Sequence, residues 1–336
     1  MALYRESSSD PLTLIQLCWE SVPNYLEKLS LYHSSWPSIY SLFSPFKDIW
    51  NFKLDIFFVF LLAIMFTLLR YCLQWKCAKL MIEWKVYPQY SHKLPECIWK
   101  LGYYGFAWAF SVYVHFFTEV NTFNDPLSMW DGWKSNALVK DVPRFELNML
   151  IIYSTQTAFY IHSIYATLFM DQWRSDSWVM FIHHFIAIIL LALSYIENYT
   201  LTGALVLLLQ DNSDAVLEMT KLCVYLKKRQ DGRYYKWLEK TANGMLYAFA
   251  AIWVICRLWL YSSKLLYGSI YGGTMVGPRD SLAFPTLGVL LVSILLLNIF
   301  WFNFIIRMCI RVWKTGEEPE DNREFDTQSE MKKKNL

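Results

Sequence analysis

Residues 178–196 read WVMFIHHFIAIILLALSYI, an apolar run without an acidic or basic side chain other than histidine. A helix of about 20 such residues crosses the hydrocarbon core of a bilayer. Two adjacent histidines, His183 and His184, interrupt the run near its beginning. The stretch therefore predicts a membrane-spanning helix that carries two ionisable groups below the membrane surface.

Six further stretches share this apolar character. Across the chain, 55% of the 336 residues are apolar and 18% are charged, which is not the balance of a soluble globular protein. We therefore predict an all-α fold class: a polytopic transmembrane helix bundle of about seven spans, with a central cavity that accommodates lipid and opens to the cytosol. The predicted spans are residues 54–73, 98–117, 147–169, 178–196, 201–222, 244–263 and 284–306.

The distribution of basic residues predicts the orientation of these spans. Lysine and arginine concentrate after the first, third and fifth spans and in the C-terminal tail, and segments of this kind stay in the cytosol. The lysines Lys332, Lys333 and Lys334 resemble the dilysine retrieval signal of endoplasmic-reticulum proteins, although a solvated basic tail is the alternative. We expect a multi-pass protein of the endoplasmic reticulum membrane with a lumenal N-terminus and a cytosolic C-terminus.

Net charge and cysteine content argue against two other classes. A net charge of +2 provides no basic face for nucleic acid, so we expect no nucleic-acid partner. The seven cysteines are scattered and lack metal-ligand spacing. We therefore expect neither a disulfide framework nor a zinc site formed by them.

Carboxylates in the fifth span lie at the same predicted depth as the histidines of the fourth. Asp211 and Asp214 are three residues apart and share one helix face. Counted from the cytosolic boundary, His183 and Asp214 both lie roughly 10 Å deep. A carboxylate bonded to one imidazole nitrogen fixes the tautomer and stabilises the imidazolium. The sequence therefore predicts a dyad of His183 and Asp214.

Two other interpretations of these four side chains stay open. They form a stable polar network if each is paired, which holds two helices together without any chemistry. Two histidines and two aspartates also suit zinc or manganese. Adjacent histidines on a regular helix point about 100° apart and chelate one ion poorly, so we expect no bound metal.

Two stretches carry a specific family resemblance. Residues 162–184 read HSIYATLFMDQWRSDSWVMFIHH and residues 210–218 read QDNSDAVLE. Together they resemble the Lag1 motif of the ceramide synthases, which are members of the TRAM-LAG-CLN8 membrane domain family. The resemblance extends from about Leu94 to about Arg307. Many ceramide synthases insert a homeobox-like segment after the first span, and this chain resembles the members that lack it.

The resemblance predicts the domain organisation of the chain. A lumenal N-terminal segment, a first span and a short cytosolic linker without a homeobox-like domain precede the catalytic membrane domain, and a disordered cytosolic tail follows it. The predicted bounds are 1–53 for the N-terminal segment, 54–73 for the span, 74–96 for the linker, 97–310 for the catalytic domain and 311–336 for the tail.

The resemblance also implies a function. Ceramide synthases transfer a fatty acyl chain from acyl-CoA to a sphingoid base, sphinganine or sphingosine, and the members without the insert imply stearoyl-CoA as the donor. By this resemblance His183 accepts the acyl chain as an acyl-imidazole, Asp214 is its charge partner, and His184 and Asp211 complete the site. Acyl-CoA is a substrate, so no cofactor is expected. The other expected partners are membrane lipids, and a homo- or hetero-dimer is left open.

The CoA moiety is too polar to enter the membrane, so we expect its phosphates to bind at the cytosolic mouth of the cavity. Arg174, Lys227 and Lys228 are the predicted phosphate-binding residues, and Trp173 and Gln210 complete the predicted substrate-binding set. Lys227 and Lys228 alternatively mark the cytosolic boundary of a span.

The loop before the last span is associated with acyl-chain selection in this family. Here the loop comprises residues 263–281, and its four glycines predict an unusually flexible backbone. The chain-length preference of this protein is the property that we expect this loop to affect most.

Two alternative functions come from other classes. The chain could be a non-enzymatic lipid-binding or translocation-associated membrane protein with the same domain, but such a protein needs no pair of histidines as nucleophiles. It could also be an ion or metal transporter that uses the intramembrane His/Asp cluster. Transporters usually contain repeats and broken helices, and no Gly or Pro pair interrupts the fourth and fifth spans.

Overall fold

Seven long helices form nearly all of the described structure. The computed structural model of the chain describes residues 50–90, 93–118, 120–130, 147–196, 199–275 and 283–316. The helices are α1 (Trp50–Glu83), α2 (Lys93–Phe117), α3 (Leu147–Phe169), α4 (Ser177–Ile196), α5 (Thr200–Leu226), α6 (Lys236–Met275) and α7 (Ala283–Thr315). Short 3₁₀ turns follow α1 and α2, at Pro88–Tyr90 and Pro126–Trp130.

The composition of these helices is that of a membrane protein. By length and hydropathy, α1, α4, α6 and α7 qualify as membrane spans within the described chain. Helices α2, α3 and α5 have 25, 23 and 27 residues, which is also enough to cross a bilayer, but they carry more polar side chains. No strand occurs in the described ranges. The predicted all-α polytopic helix bundle is confirmed.

Helix α1 is longer than the predicted first span. It continues past residue 73 to Glu83, because residues 74–83 contain no Gly or Pro and the basic residues among them are good helix formers. The predicted linker at 74–96 is therefore α-helical over residues 74–83 and again from Lys93. Most of the predicted N-terminal segment (residues 1–49) and the tail from residue 317, including Lys332–Lys334, lie outside the described residues.

Helix α6 runs through most of the region predicted to be a flexible loop. It is α-helical over Lys236–Ile252, π-helical over Trp253–Tyr271 and α-helical again over Gly272–Met275. The prediction of a flexible loop is wrong as far as Met275, and residues 276–282 lie outside the described residues. Glycine permits a turn but does not require one. Here Gly268 and Gly272 allow the Pro126–Trp130 turn to pack closely against the helix.

The bundle has two ends, which we call the linker end and the far end. The linker end contains residues 84–90, 170–176 and 227–235, which lie between α1 and α2, α3 and α4, and α5 and α6. Two of these connections meet where the Gln230 N–H donates to the Lys85 carbonyl at 2.8 Å. The far end contains the Pro126–Trp130 turn and Tyr199. The basic residues of its connections predict that the linker end faces the cytosol.

Helix α5 lies inside the bundle, packed against α2 and α6. Polar groups in hydrocarbon are stable only when neighbouring helices or a water-filled cavity satisfy them. The buried polar side chains of α5 are those of Thr200, Gln210, Asp211, Ser213, Glu218 and Thr220. Their surroundings define the candidate active site.

Candidate active site

A cavity of about 840 Å³ extends from the linker end into the bundle. The exposed residues of its lining, Gln89 and Gln172, both belong to the linker end, so the cavity reaches the surface there. Side chains at its inner part come from α4, α5 and α6. They are those of His183, His184, Asp214 and Arg257.

Both histidines of α4 line this cavity and are held between aromatic rings. The centroid of the Tyr160 ring lies 6.3 Å from that of His183 and 5.7 Å from that of His184, and the Trp301 ring lies 5.3 Å from His183. The Nδ1 atoms of both histidines are buried and form no hydrogen bond with any residue that the structure describes. The aromatic walls thus position two imidazoles whose Nδ1 atoms have no hydrogen-bond partner in the described chain.

The carboxylate of Asp214 is paired with an arginine, not with a histidine. An Arg257 guanidinium nitrogen, Nη2, lies 2.6 Å from Asp214 Oδ2. Within the described ranges, the predicted hydrogen bond between Asp214 and His183 is absent, and this part of the dyad prediction is corrected. The physical reason is that a carboxylate within a membrane bundle needs a compensating positive charge, which a neutral imidazole does not provide. Asp214 and His183 nevertheless line the same cavity.

Arg257 is a candidate site residue that was not predicted from the sequence. It is 4% exposed, and its side chain is bonded on several sides. Its Nε donates to the Ser213 hydroxyl at 2.6 Å, its Nη2 also donates to the Gln210 carbonyl at 2.7 Å, and its guanidinium lies 4.1 Å from the Trp253 ring centroid. The signal was present in the sequence, because an arginine inside the sixth apolar stretch needs a partner in the membrane.

Asp211 lies behind the cavity wall. It is 1% exposed, and its Oδ2 accepts a hydrogen bond from the Gln156 amide. Its other oxygen, Oδ1, is buried without a partner in the described chain. Asp211 is not among the residues that line the cavity, whereas Asp214 and both histidines are. No group of three or more potential metal ligands occurs in the described residues.

The wall of the cavity near the linker end carries a cluster of paired charges, which we call the mouth cluster. It joins α1, α2 and α5 to the connection between α3 and α4. Its ion pairs are Arg70–Asp171 (2.5 Å), Lys100–Glu96 (2.6 Å), Lys100–Asp171 (3.4 Å), Arg174–Glu96 (3.3 Å) and Lys221–Glu218 (2.8 Å). All seven residues line the cavity.

The predicted substrate-binding residues lie in different places. Arg174 belongs to the mouth cluster and lines the cavity. Trp173 is exposed beside it and packs against Trp178, with 5.4 Å between the ring centroids. Lys227 and Lys228 are not among the lining residues, and the Lys228 ammonium lies 5.5 Å from the centroid of a tyrosine ring at the linker end.

A second, mainly apolar cavity of about 60 Å³ lies on the far side of the histidines. We call it the apolar pocket. His183 and Tyr160 line both this pocket and the large cavity, so the two spaces meet at these side chains. Gln210 also lines the pocket, and both polar atoms of its side-chain amide are buried without a hydrogen bond in the described chain.

Comparisons with known proteins show the family of the chain. The TLC domain family model matches residues 93–307. Ceramide synthase 1 of Homo sapiens is 37% identical over 242 residues, which cover 71% of this chain and 67% of that protein. Ceramide synthase 1 of Mus musculus is 35% identical over 72% of this chain and 67% of its own length. Ceramide synthase LOH1 of Arabidopsis thaliana is 30% identical over 69% of this chain and 72% of its own length. The chain therefore belongs to the TLC domain family and, within it, to the ceramide synthases.

Proposed function

We propose that this protein is a sphingoid base N-acyltransferase that moves a fatty acyl chain from acyl-CoA to sphinganine or sphingosine. The observation that carries the proposal is the position of His183, where a polar cavity from the linker end meets an apolar pocket. A thioester whose CoA is polar and whose acyl chain is apolar requires such a junction. The ceramide synthases that the chain resembles support the same activity.

The reaction proceeds in two steps on His183. A nitrogen of the imidazole attacks the thioester carbonyl carbon, the carbon–sulfur bond breaks, and CoA leaves as a thiol with the imidazole proton. The amine of the sphingoid base then attacks the acyl-imidazole, the bond between carbonyl carbon and imidazole breaks, and the imidazole takes the amine proton. Covalent catalysis by an imidazole divides one difficult transfer into two easier steps.

His183 is the better candidate for the nucleophile because it lines both cavities, whereas His184 lines only the larger one. His184 lies beside it, with 5.8 Å between the ring centroids. It is placed to relay protons between the amine and solvent in the large cavity. The pair formed by Arg257 and Asp214 positions α5 and α6 around the reacting groups.

The mouth cluster is the proposed binding region for the CoA phosphates. Four of its seven residues are cations, and a phosphate can replace a carboxylate as their partner. CoA then enters from the cytosol, which places the linker end and the C-terminal end of α7 on that side of the endoplasmic reticulum membrane. Stearoyl-CoA is the proposed donor.

The activity is tested with purified protein in liposomes. Given sphinganine and stearoyl-CoA, the protein should form the corresponding ceramide, and without sphinganine a labelled stearoyl group should remain on the protein. In His183→Ala both signals should fall at least about a hundredfold. His115→Asn is a matched control, because His115 is a buried membrane histidine that lines neither cavity and bonds the Ser111 carbonyl of its own helix.

Each part of the proposal has its own contrary outcome. If the wild-type protein forms no ceramide, the proposed activity is wrong. Ceramide formation without any acylated protein, or acylation that persists in His183→Ala, would leave the activity standing but remove the acyl-imidazole intermediate.

A further inference from the structure

The apolar pocket continues away from the catalytic histidine toward the far end. On α4, its lining runs from His183 to Ser194, which corresponds to about 16 Å along the helix axis. Most of the lining side chains between these limits are aliphatic. The elongated shape and mainly apolar lining of the pocket match an alkyl chain better than the polar parts of either substrate.

An aromatic side chain lines the far end of the pocket. Trp130, at the end of the 3₁₀ turn that follows α2, lines the pocket and is 4% exposed. Its indole N–H donates to the Gly268 carbonyl of α6 at 2.8 Å. Its ring also packs edge-on against that of Tyr199, with 5.4 Å between the centroids.

Close packing fixes Trp130 in this position. A Cβ atom added at Gly272 would lie 2.7 Å from the Trp130 indole nitrogen, and one added at Gly268 would lie 2.8 Å from the Pro126 carbonyl oxygen. Contacts that short do not occur between real Cβ atoms and their neighbours. The two glycines therefore allow the turn to seat against α6, so Trp130 is held by both packing and a hydrogen bond.

We propose that Trp130 is the stop that limits the length of the acyl chain. This inference rests on the proposed function, in which His183 carries the acyl group, because the chain then extends from His183 into the apolar pocket. A chain that reaches Trp130 fills the pocket, and a longer chain has to displace the indole or fold back. Trp130 is thus a specificity-determining residue that contacts the end of the chain and takes no part in the chemistry.

Trp130→Leu tests the stop by replacing the indole with a smaller apolar side chain. The variant, in liposomes, is given sphinganine and an equimolar mixture of palmitoyl-, stearoyl-, arachidoyl- and lignoceroyl-CoA, and the ceramides are separated by mass. The ratio of arachidoyl to stearoyl product should rise about tenfold, since a pocket discriminates at least that strongly between chains that differ by a methylene or two. Trp259→Leu is the matched control, because Trp259 lies on α6, the helix to which Trp130 is hydrogen-bonded, but is exposed.

A second variant changes the pocket in the opposite direction. Thr202 lines the pocket near the same end, and its hydroxyl lies 3.3 Å from the Met129 sulfur in the turn that carries Trp130. Thr202→Leu should shorten the pocket and shift the products toward palmitoyl. This variant decides the question if Trp130→Leu does not fold.

The outcomes separate the two proposals. If the wild-type protein makes no ceramide, the proposed function fails. If it makes ceramide and both active variants keep the wild-type product ratios, or if Trp259→Leu shifts them equally, Trp130 is not the stop and the proposed function still stands. If only Thr202→Leu is active, a shift of its products toward palmitoyl supports the stop, and unchanged product ratios contradict it.

Discussion

Arg257 and Asp214 form an ion pair of 2.6 Å inside a bundle of membrane helices, on the wall of the cavity that reaches the two histidines. The guanidinium has further partners in Ser213 and in the Gln210 carbonyl, so it joins α6 to α5 by several bonds at once. Removing one member of such a pair should destabilise the protein more than removing both, because a single charge is then left uncompensated in a medium of low dielectric constant.

Removal of the arginine alone should therefore destabilise the protein. Arg257→Met is expected to lower the free energy of unfolding by about 3–5 kcal/mol, as measured by denaturant unfolding in detergent micelles. The double variant Arg257→Met/Asp214→Leu should recover most of that loss but not ceramide formation, because α5 and α6 then pack without the polar groups that position the site. Equal stability of Arg257→Met and the wild-type protein would contradict this account.

Stability should depend in a similar way on both partners of the hydrogen bond between Gln156 and Asp211. Gln156→Leu leaves the buried Asp211 carboxylate without its partner and should cost about 1–3 kcal/mol of unfolding free energy. Gln156→Leu/Asp211→Leu should be close to wild type in stability, since two apolar groups of similar shape replace both partners. Gln89→Leu is the control, because Gln89 is exposed at the linker end.

Activity distinguishes this pair from the residues on the cavity. Asp211 does not line the cavity, so the double variant should lose less ceramide formation than His183→Ala does. If it loses as much, the role predicted for Asp211 from the sequence alone is restored.

The sequence predicted the helices better than their contacts. Apolar runs of sufficient length located all seven long helices of the described chain, because the bilayer imposes one length and one backbone conformation on each span. Helix α1 continues past the predicted span because lysines can end a hydrocarbon span without ending a helix. The predicted partner of Asp214, His183, was wrong because the register between α5 and α6 depends on packing. No local sequence pattern places Arg257 beside Asp214.

Glycine in the segment before α7 shows the same limit. From the sequence, Gly268 and Gly272 indicate flexibility, but both lie in helix α6, where they make room for the Pro126–Trp130 turn. A missing Cβ either frees a backbone or lets a neighbour approach. Only the neighbour distinguishes these two roles of glycine, and here the neighbour, Trp130, precedes Gly268 by 138 residues.

The mouth cluster makes a prediction about substrate affinity. Arg174 lines the cavity and lies 3.3 Å from Glu96, whereas Lys228 is exposed and outside the lining. If the CoA phosphates bind in the cluster, Arg174→Gln should raise the KM for stearoyl-CoA about tenfold through the loss of a charge-assisted hydrogen bond. Lys228→Gln, the matched control, should leave the KM unchanged, and the kcat of both variants should stay near that of the wild-type protein.

A truncated donor separates phosphate binding from a general distortion of the cavity. Stearoyl-pantetheine contains the same thioester and acyl chain as stearoyl-CoA but lacks the nucleotide and its phosphates. Arg174→Gln should therefore use stearoyl-pantetheine as well as the wild-type protein does, and the difference between the two proteins with stearoyl-CoA should shrink as salt screens the phosphates. An equal defect with both donors would instead show that Arg174 acts through its ion pair with Glu96, which holds the connection between α3 and α4 against the start of α2.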